Sequence, residues 1–161
     1  LGHEHFESVF NDETLSNLSF STSGEILTTE GQIRIDGKIF KDGDNRLVFL
    51  DFLPPLFETE NRETLLKGTY IGNPFKKEVK LRISMDEPIE KFSPITRSFS
   101  ENGIEFNLSI VRESEFMIEY KYEFIFNELF VNEINQETTN SVLNSFNKLA
   151  NEPIVFRKKS I

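Results

Sequence analysis

The sequence predicts a mainly β protein, an antiparallel β-sandwich with one C-terminal α-helix. Several segments alternate between apolar and polar residues, which is the pattern of strands with one buried face. Gly, Asn and Pro separate these segments at short intervals, as in antiparallel sandwiches. One stretch near the end has helical periodicity. The length of 161 residues suits a single domain, residues 1–161.

The N-terminal part of the chain predicts short strands. Residues 1–23 are polar and mixed, so we expect a loosely ordered lead-in that ends in an edge strand. Residues 24–29 predict a further short strand. Asp36–Gly37 interrupts the next run as either a bulge or a tight turn. The apolar face of that run is formed by Ile33, Ile35 and Ile39.

The middle of the chain predicts a turn and two more strands. Residues 41–45 contain Gly and Asn, which tolerate positive φ, and predict a turn. Residues 46–52 are almost continuously apolar, which predicts a strand covered on both faces, ended by Pro54–Pro55. Residues 57–64 predict a charged loop, and residues 65–71 predict another strand.

The clearest strands follow. Residues 79–85 alternate strictly and predict a half-buried strand, after which Pro88 and Pro94 bracket a loop. Asn102–Gly103 predicts a turn into an antiparallel pair with one solvated face, joined by a charged turn at 112–115. The predicted core residues of this pair are Ile104, Phe106, Leu108, Ile110, Phe116, Ile118, Tyr120, Tyr122, Phe124 and Phe126.

One helix is predicted at residues 136–151. Asn135 and Thr138 are the candidate N-caps, and Glu137 places negative charge at the helix N-terminus. Pro153 marks its end, and residues 154–156 predict a last short strand before the basic residues 157–159. The apolar stripe of the helix consists of Val142, Leu143, Phe146, Leu149 and Ala150.

Composition excludes several classes of function. The net charge of −9 repels phosphate backbones, so we expect neither nucleic-acid binding nor docking on an anionic membrane. The chain has no Cys, which excludes disulfides, thiolate nucleophiles and Cys-ligated zinc. No apolar run is long enough for a membrane span and no signal peptide is visible, so we expect no membrane insertion. A start at Leu1 indicates an interior fragment or a processed form.

Three sets of residues are candidates for metal binding or catalysis, and each has a simpler explanation. His3 and His5 form a possible weak metal pair, but a fraying terminus holds no imidazole in place. Residues 42–45 contain Asp42, Asp44 and Asn45 and suggest calcium, but the spacing departs from the EF-hand loop and predicts a solvated turn. Glu119 and Glu123 suggest a carboxylate pair but lie on the polar face of a strand.

Three further sets are candidates for recognition. Lys76, Lys77, Lys80 and Arg82 form a basic strip, which predicts either a solvated strand face or a docking strip for an acidic partner. Tyr120 and Tyr122 beside Phe124 suggest an exposed aromatic face, but their regular alternation predicts core. Asn17 and Asn107 begin glycosylation triplets that also occur by chance. No P-loop, dinucleotide-binding glycine set or nucleophile elbow occurs in the sequence.

Two segments also resemble a known family. Gly103 to Tyr120, GIEFNLSIVRESEFMIEY, resembles immunoglobulin-like extracellular modules of Gram-positive anti-sigma-factor-like proteins and related lipoproteins. Ile35 to Leu47, IDGKIFKDGDNRL, is similar to the preceding module in such proteins. The helix and basic tail at 136–161 depart from that pattern. The resemblance implies a cell-surface sensing or interaction module with no catalytic residues.

The resulting expectation is a non-catalytic extracytoplasmic binding or sensing domain of a bacterial surface protein. It would use no cofactor or metal and would bind another protein or a small ligand, through residues that the pattern does not identify. The alternative is a small acidic cytoplasmic inhibitor or immunity-type protein that blocks a basic partner surface, with affinity that falls with salt. A third hypothesis, an enzyme with an unrecognised carboxylate site, requires a cleft with two buried acids.

Overall fold

The structure, a computed structural model, describes residues 15–33, 39–50, 56–57 and 64–158. It confirms the predicted class, because three antiparallel sheets and one C-terminal helix make up the described chain. The elements are β1 Leu15–Ser23, β2 Ile26–Ile33, β3 Ile39–Asp42, β4 Asn45–Val48, β5 Phe75–Ser84, β6 Ile89–Phe92, β7 Ile95–Glu101, β8 Ile104–Ser114, β9 Met117–Phe126, α1 Gln136–Asn151 and β10 Ile154–Lys158. Within these residues no helix combines the length and apolar character that crossing a bilayer requires.

Two four-stranded sheets and a hairpin form the β structure. One sheet has the strand order β5-β9-β8-β7. Its two longest pairings are β8 with β9, which form its central hairpin, and β9 with β5. The second has the order β3-β4-β10-β6, so the C-terminal strand β10 lies between two earlier strands. The hairpin β1–β2 is a separate two-stranded sheet whose described side chains are mostly exposed.

The core lies on the inner face of β8 and β9. Alternation places every second residue of both strands there, and nine of the ten predicted core residues of this pair are buried. Helix α1 covers this face through Phe146, whose ring lies 5.2 Å from Tyr122 and 6.4 Å from Phe106 between centroids. Buried residues of β4 and β10, such as Val48 and Phe156, belong to the same apolar cluster.

The tenth residue, Phe116, corrects the prediction. Strand β8 continues to Ser114, so the turn falls at Glu115 and Phe116 rather than at residues 112–115, and Phe116 is 47% exposed. At the other end of β8 the predicted turn is confirmed. Asn102 has φ 51° and Gly103 has φ 76°, the left-handed pair that a two-residue hairpin requires.

Residues 65–71 do not form the predicted strand. A turn at Lys67–Gly68 breaks the segment, with Gly68 at φ 88°, and only an isolated bridge joins Tyr70 to Phe130. The loop expected between Pro88 and Pro94 contains β6, and β7 follows Pro94. These two strands were missed because each proline precedes its strand, where the missing N–H costs no ladder bond, and because β7 has only two apolar residues.

Several boundaries also differ. Strand β4 ends at Val48 rather than Phe52, and Arg46, placed in an apolar run, is a buried cation. Phe57, assigned to a charged loop, is buried, with its ring 5.1 Å from that of Phe124 between centroids. Strand β1 occupies residues 15–23 of the expected lead-in. Residues 1–14, Asp36–Gly37, Pro54–Pro55 and 58–63 lie outside the described residues.

The helix has its predicted bounds, but its N-terminus lacks the predicted side-chain cap. Asn135 is the N-cap residue, yet its side chain makes no capping bond, since its Oδ1 accepts from the N–H of Asn132. The hydroxyl of Thr138, the other candidate, accepts from the Asn102 amide at 3.3 Å. At the C-terminus Glu152 N–H donates to Lys148, and Pro153 cannot continue the helix.

Candidate binding surface

The basic strip is not a free basic surface. On the outer face of β5, Lys80 lies 2.9 Å from Glu119 and Lys76 lies 2.6 Å from Glu123. Arg82 lies 3.3 Å from Glu113. Lys77 does not belong to this strip, because alternation places it on the opposite face of β5, opposite Phe124 in register. Paired charges therefore neutralise one another across the strands.

The same ladder sets the ionisation of the two candidate carboxylates. A hydrogen bond from Lys80 lowers the pKa of Glu119, and one from Lys76 lowers the pKa of Glu123. The same contact with Glu123 raises the pKa of Lys76. A general acid in glycoside hydrolysis needs a raised carboxyl pKa. This pair therefore has the opposite electrostatic bias.

The aromatic set on β9 belongs to the core, as its alternation predicted. Tyr120, Tyr122 and Phe124 are all buried, and burial raises the pKa of both tyrosines. Among the described residues, the Tyr122 hydroxyl is the buried side-chain polar atom without a hydrogen-bond partner. These rings therefore present no aromatic face to solvent.

The turn that suggested calcium has a structural role. Asp42 and Asn45 pair across it, and Gly43 has φ 59°. Arg46 fills its inner side by donating to the carbonyls of Gly43 and Asn45, at 3.0 Å each. The Asp44 carboxylate lies 3.8 Å from the Arg157 guanidinium.

The remaining candidates for metal binding and for glycosylation lie in different parts of the sequence. Over the described ranges, no group of three or more His, Asp or Glu side chains could hold a metal ion. His3 and His5 lie outside those ranges. Asn17 lies in β1, and Asn107 lies exposed on β8, where its Oδ1 accepts from the Ser98 hydroxyl.

Arg46 is a structural cation that the sequence analysis missed. It is 4% exposed, and its Nε donates to Glu87 at 2.8 Å. This bond lowers the pKa of Glu87, whose carboxylate also lies 3.6 Å from Lys158. The contacts join β4 to the β5–β6 connection and to β10. A cation in an apolar run was the available signal, because a buried charge needs a partner.

A second overlooked feature is an exposed apolar surface on two paired segments. Backbone bonds link residues 68–71 to residues 129–131: Gly68 N–H to Val131, Ile71 N–H to Leu129, and Val131 N–H to Thr69. The ring centroids of Tyr70 and Phe130 lie 5.1 Å apart on this ribbon. The large apolar side chains exposed in these segments or within three residues of them, by 44–73%, are Leu66, Tyr70, Leu129, Phe130 and Ile134. We call these five residues the Tyr70–Phe130 patch.

The patch is held by buried anchors beneath it. Leu65 and Val131 are each 1% exposed and fix one residue of each segment in the core. The Asn140 amide on α1 closes two bonds with the backbone of Leu65, donating to its carbonyl at 2.9 Å and accepting from its N–H at 2.7 Å. Lys67 pairs with Glu133 across the two segments. The exposed side chains therefore project from a braced backbone.

Charges near the patch are mainly acidic. Glu128 precedes Leu129, Glu133 precedes Ile134, and Glu137 lies exposed in the first turn of α1. Within residues 64–71 and 128–137, which the structure describes, the one Lys or Arg is Lys67. The sequence signal for this surface was the density of large apolar residues at 65–71, which were assigned to a strand, and at 129–134, which no predicted element covered. The turn at Lys67–Gly68 interrupts the first segment, and Leu66 and Tyr70 on either side of it are exposed.

Comparison with protein families, curated proteins and solved structures finds no match. The Tyr70–Phe130 patch is an exposed apolar feature that neither the core nor the charge ladder explains.

Proposed function

We propose that this chain is a non-catalytic extracytoplasmic binding domain of a bacterial surface protein that recognises a protein partner through the Tyr70–Phe130 patch. The observation that carries the proposal is the exposure of five large apolar side chains on a backbone that Leu65, Val131 and Asn140 hold in place. Exposed apolar groups with a polar rim mark interaction sites, and aromatic residues often dominate their binding energy. The extracytoplasmic location follows from the resemblance of residues 103–120.

The partner that this surface suits is a protein segment with apolar side chains flanked by Lys or Arg. Apolar side chains would cover Tyr70 and Phe130, while basic groups would face Glu128, Glu133 and Glu137. A preformed surface supports this role, because little backbone ordering is then lost on binding.

The absence of catalysis is part of the proposal. Glu119 and Glu123 are ion-paired with lowered pKa values, which suits a solvated face and not acid catalysis. The inner face of the sheet β5-β9-β8-β7 carries Phe106, whose ring packs against those of Phe124 and Phe146. These features support a recognition role.

Photo-crosslinking followed by direct binding tests the proposal. A crosslinking amino acid at position 70 identifies the partner on bacterial cells, and one at position 116 is the control. Phe116 is also an exposed aromatic, at the far end of β9, about 30 Å along the strand. With the purified partner, we expect Tyr70→Ser or Phe130→Ser to raise Kd about thirtyfold and Phe116→Ser to leave it unchanged. Equal loss at all three positions, or no loss at Tyr70 and Phe130, contradicts the proposal.

The acidic inhibitor remains the second candidate, and the net charge of −9 favours it. Binding carried mainly by apolar groups, with basic groups only at the rim, depends weakly on salt, whereas an acidic surface bound to a basic enzyme loses affinity steeply. Calorimetry of the purified complex between about 50 and about 300 mM salt separates them. A Kd that changes less than tenfold supports the patch, and a larger loss supports the inhibitor.

A further inference from the structure

Strand β7 forms an edge of the sheet β5-β9-β8-β7. Its inner neighbour is β8, and among the described strands none pairs with its other side. The opposite edge, β5, carries a series of charges that guard it against further pairing. On the solvated face β7 carries only small hydroxyl residues, Thr96, Ser98 and Ser100. It is the less guarded edge.

The direction of the backbone groups of β7 follows from the turn beside it. The Gly103 carbonyl accepts from Asn127 N–H at 2.9 Å, so the backbone N–H and C=O of Gly103 point toward β9. The backbone groups of the next residue, Ile104, point the other way, toward β7. Ile104 pairs with Glu101, so the backbone N–H and C=O of Glu101 point toward β8. Because these directions alternate along a strand, the backbone groups that point outward belong to Thr96, Ser98 and Ser100.

Two copies of β7 can pair in only a few antiparallel registers. Residues whose backbone groups point outward must face each other across the new pair. The two-fold axis therefore lies midway between the two copies of one β7 residue, which we call an axis at that residue. An axis at Phe99 sets Ser98 against Ser100 and Arg97 against Glu101, each twice. An axis at Ser98 or Ser100 leaves both charges facing other groups, and an axis at Arg97 or Glu101 sets like charges against each other.

We propose that two copies of this chain associate through β7, antiparallel, with the two-fold axis at Phe99. The pairing joins the β5-β9-β8-β7 sheets of the two copies into one continuous sheet. Arg97 and Glu101 are both exposed and occupy non-hydrogen-bonded positions, where Cα atoms lie about 4.5 Å apart and side chains approach closely. Arg97 exchanges its 3.3 Å bond to the Thr96 carbonyl for Glu101 of the second copy. Half-buried Phe99 meets its counterpart at the axis.

Charge reversal tests the register in solution. Sedimentation equilibrium of the wild-type chain should show a concentration-dependent dimer. Arg97→Glu and Glu101→Arg should each raise its dissociation constant about tenfold or more, since each sets like charges opposite. The double variant Arg97→Glu/Glu101→Arg should restore it, and an equimolar mixture of the two single variants should form the mixed dimer. A monomer at every concentration, or single variants that dimerise like the wild type, overturns the proposal.

Disulfide trapping tests the axis separately. The chain has no Cys, so a single introduced thiol can pair only with its copy in a second chain. Phe99→Cys should oxidise to a linked dimer, because the expected Cα separation lies within disulfide range. Ser98→Cys is the control and should link much more slowly, since Ser98 faces Ser100. Faster linking at position 98 refutes the register. Circular dichroism melting of each variant shows that a lost dimer is not a lost fold.

Discussion

Replacing Tyr122 with Phe should stabilise this protein, although it removes a polar atom from the core. Tyr122 is 0% exposed, and its hydroxyl has no hydrogen-bond partner among the described residues. A buried hydroxyl without a partner costs about 1–3 kcal/mol, and removing its oxygen leaves a void that costs under about 1 kcal/mol. We therefore expect the free energy of unfolding to rise by about 1–2 kcal/mol and Tm by about 2–8 °C.

Urea unfolding followed by circular dichroism measures this change. Tyr120→Phe is the matched control: Tyr120 is equally buried, but its hydroxyl is not among the buried atoms without a partner. We expect it to gain less stability than Tyr122→Phe. A loss of about 1 kcal/mol or more in Tyr122→Phe would refute the reasoning, because it would show that the hydroxyl is hydrogen-bonded.

Three further predictions concern pH and the hairpin turn. Burial raises the folded-state pKa of Tyr120 and Tyr122, so the folded chain keeps both protons at a pH where the unfolded chain loses them. The free energy of unfolding should therefore fall above pH 10.0, by up to about 1.4 kcal/mol per pH unit for each tyrosine. Urea unfolding at a series of pH values measures this fall. The pKa of Glu123 is lowered in the fold, so its contribution to stability is present above pH 4.5 and is lost as pH falls through the folded-state pKa. Lys76→Met should reduce this loss of stability at acid pH. An unchanged acid dependence of stability contradicts the pairing of Lys76 with Glu123. Gly103→Ala should destabilise by about 1–2 kcal/mol, measured by thermal unfolding, because Gly103 has φ 76°, and no loss would contradict a left-handed turn.

Strand pairing was predictable where one face is dry and the other wet. Strict alternation at residues 104–110 identified buried positions because side chains of a strand point to opposite faces in turn. The helix at 136–151 was predictable for the same reason, with a period of 3.6. Strand β7 escaped because an edge strand exposes most of its residues, so only Ile95 and Phe99 carry the pattern.

The candidate surfaces were less predictable than the core. Lys76, Lys80 and Arg82 form a basic strip in the sequence, but their Glu partners come mainly from a strand some 40 residues away. The sequence predicted that Leu66 and Tyr70 lie in a strand. In the structure the turn at Gly68 separates these two residues, and both are exposed. Exposure depends on what packs against a residue, and local sequence does not contain that information.

The sequence by itself determined the class of fold, the helix and the composition of the β8–β9 core, because apolar periodicity is a local property. The tertiary structure alone decided three other things: β10 enters the middle of a sheet, Arg46 finds Glu87, and Tyr70 meets Phe130 at the surface. Each depends on contacts between segments far apart in the chain. Such contacts are selected by the free energy of the whole packed molecule.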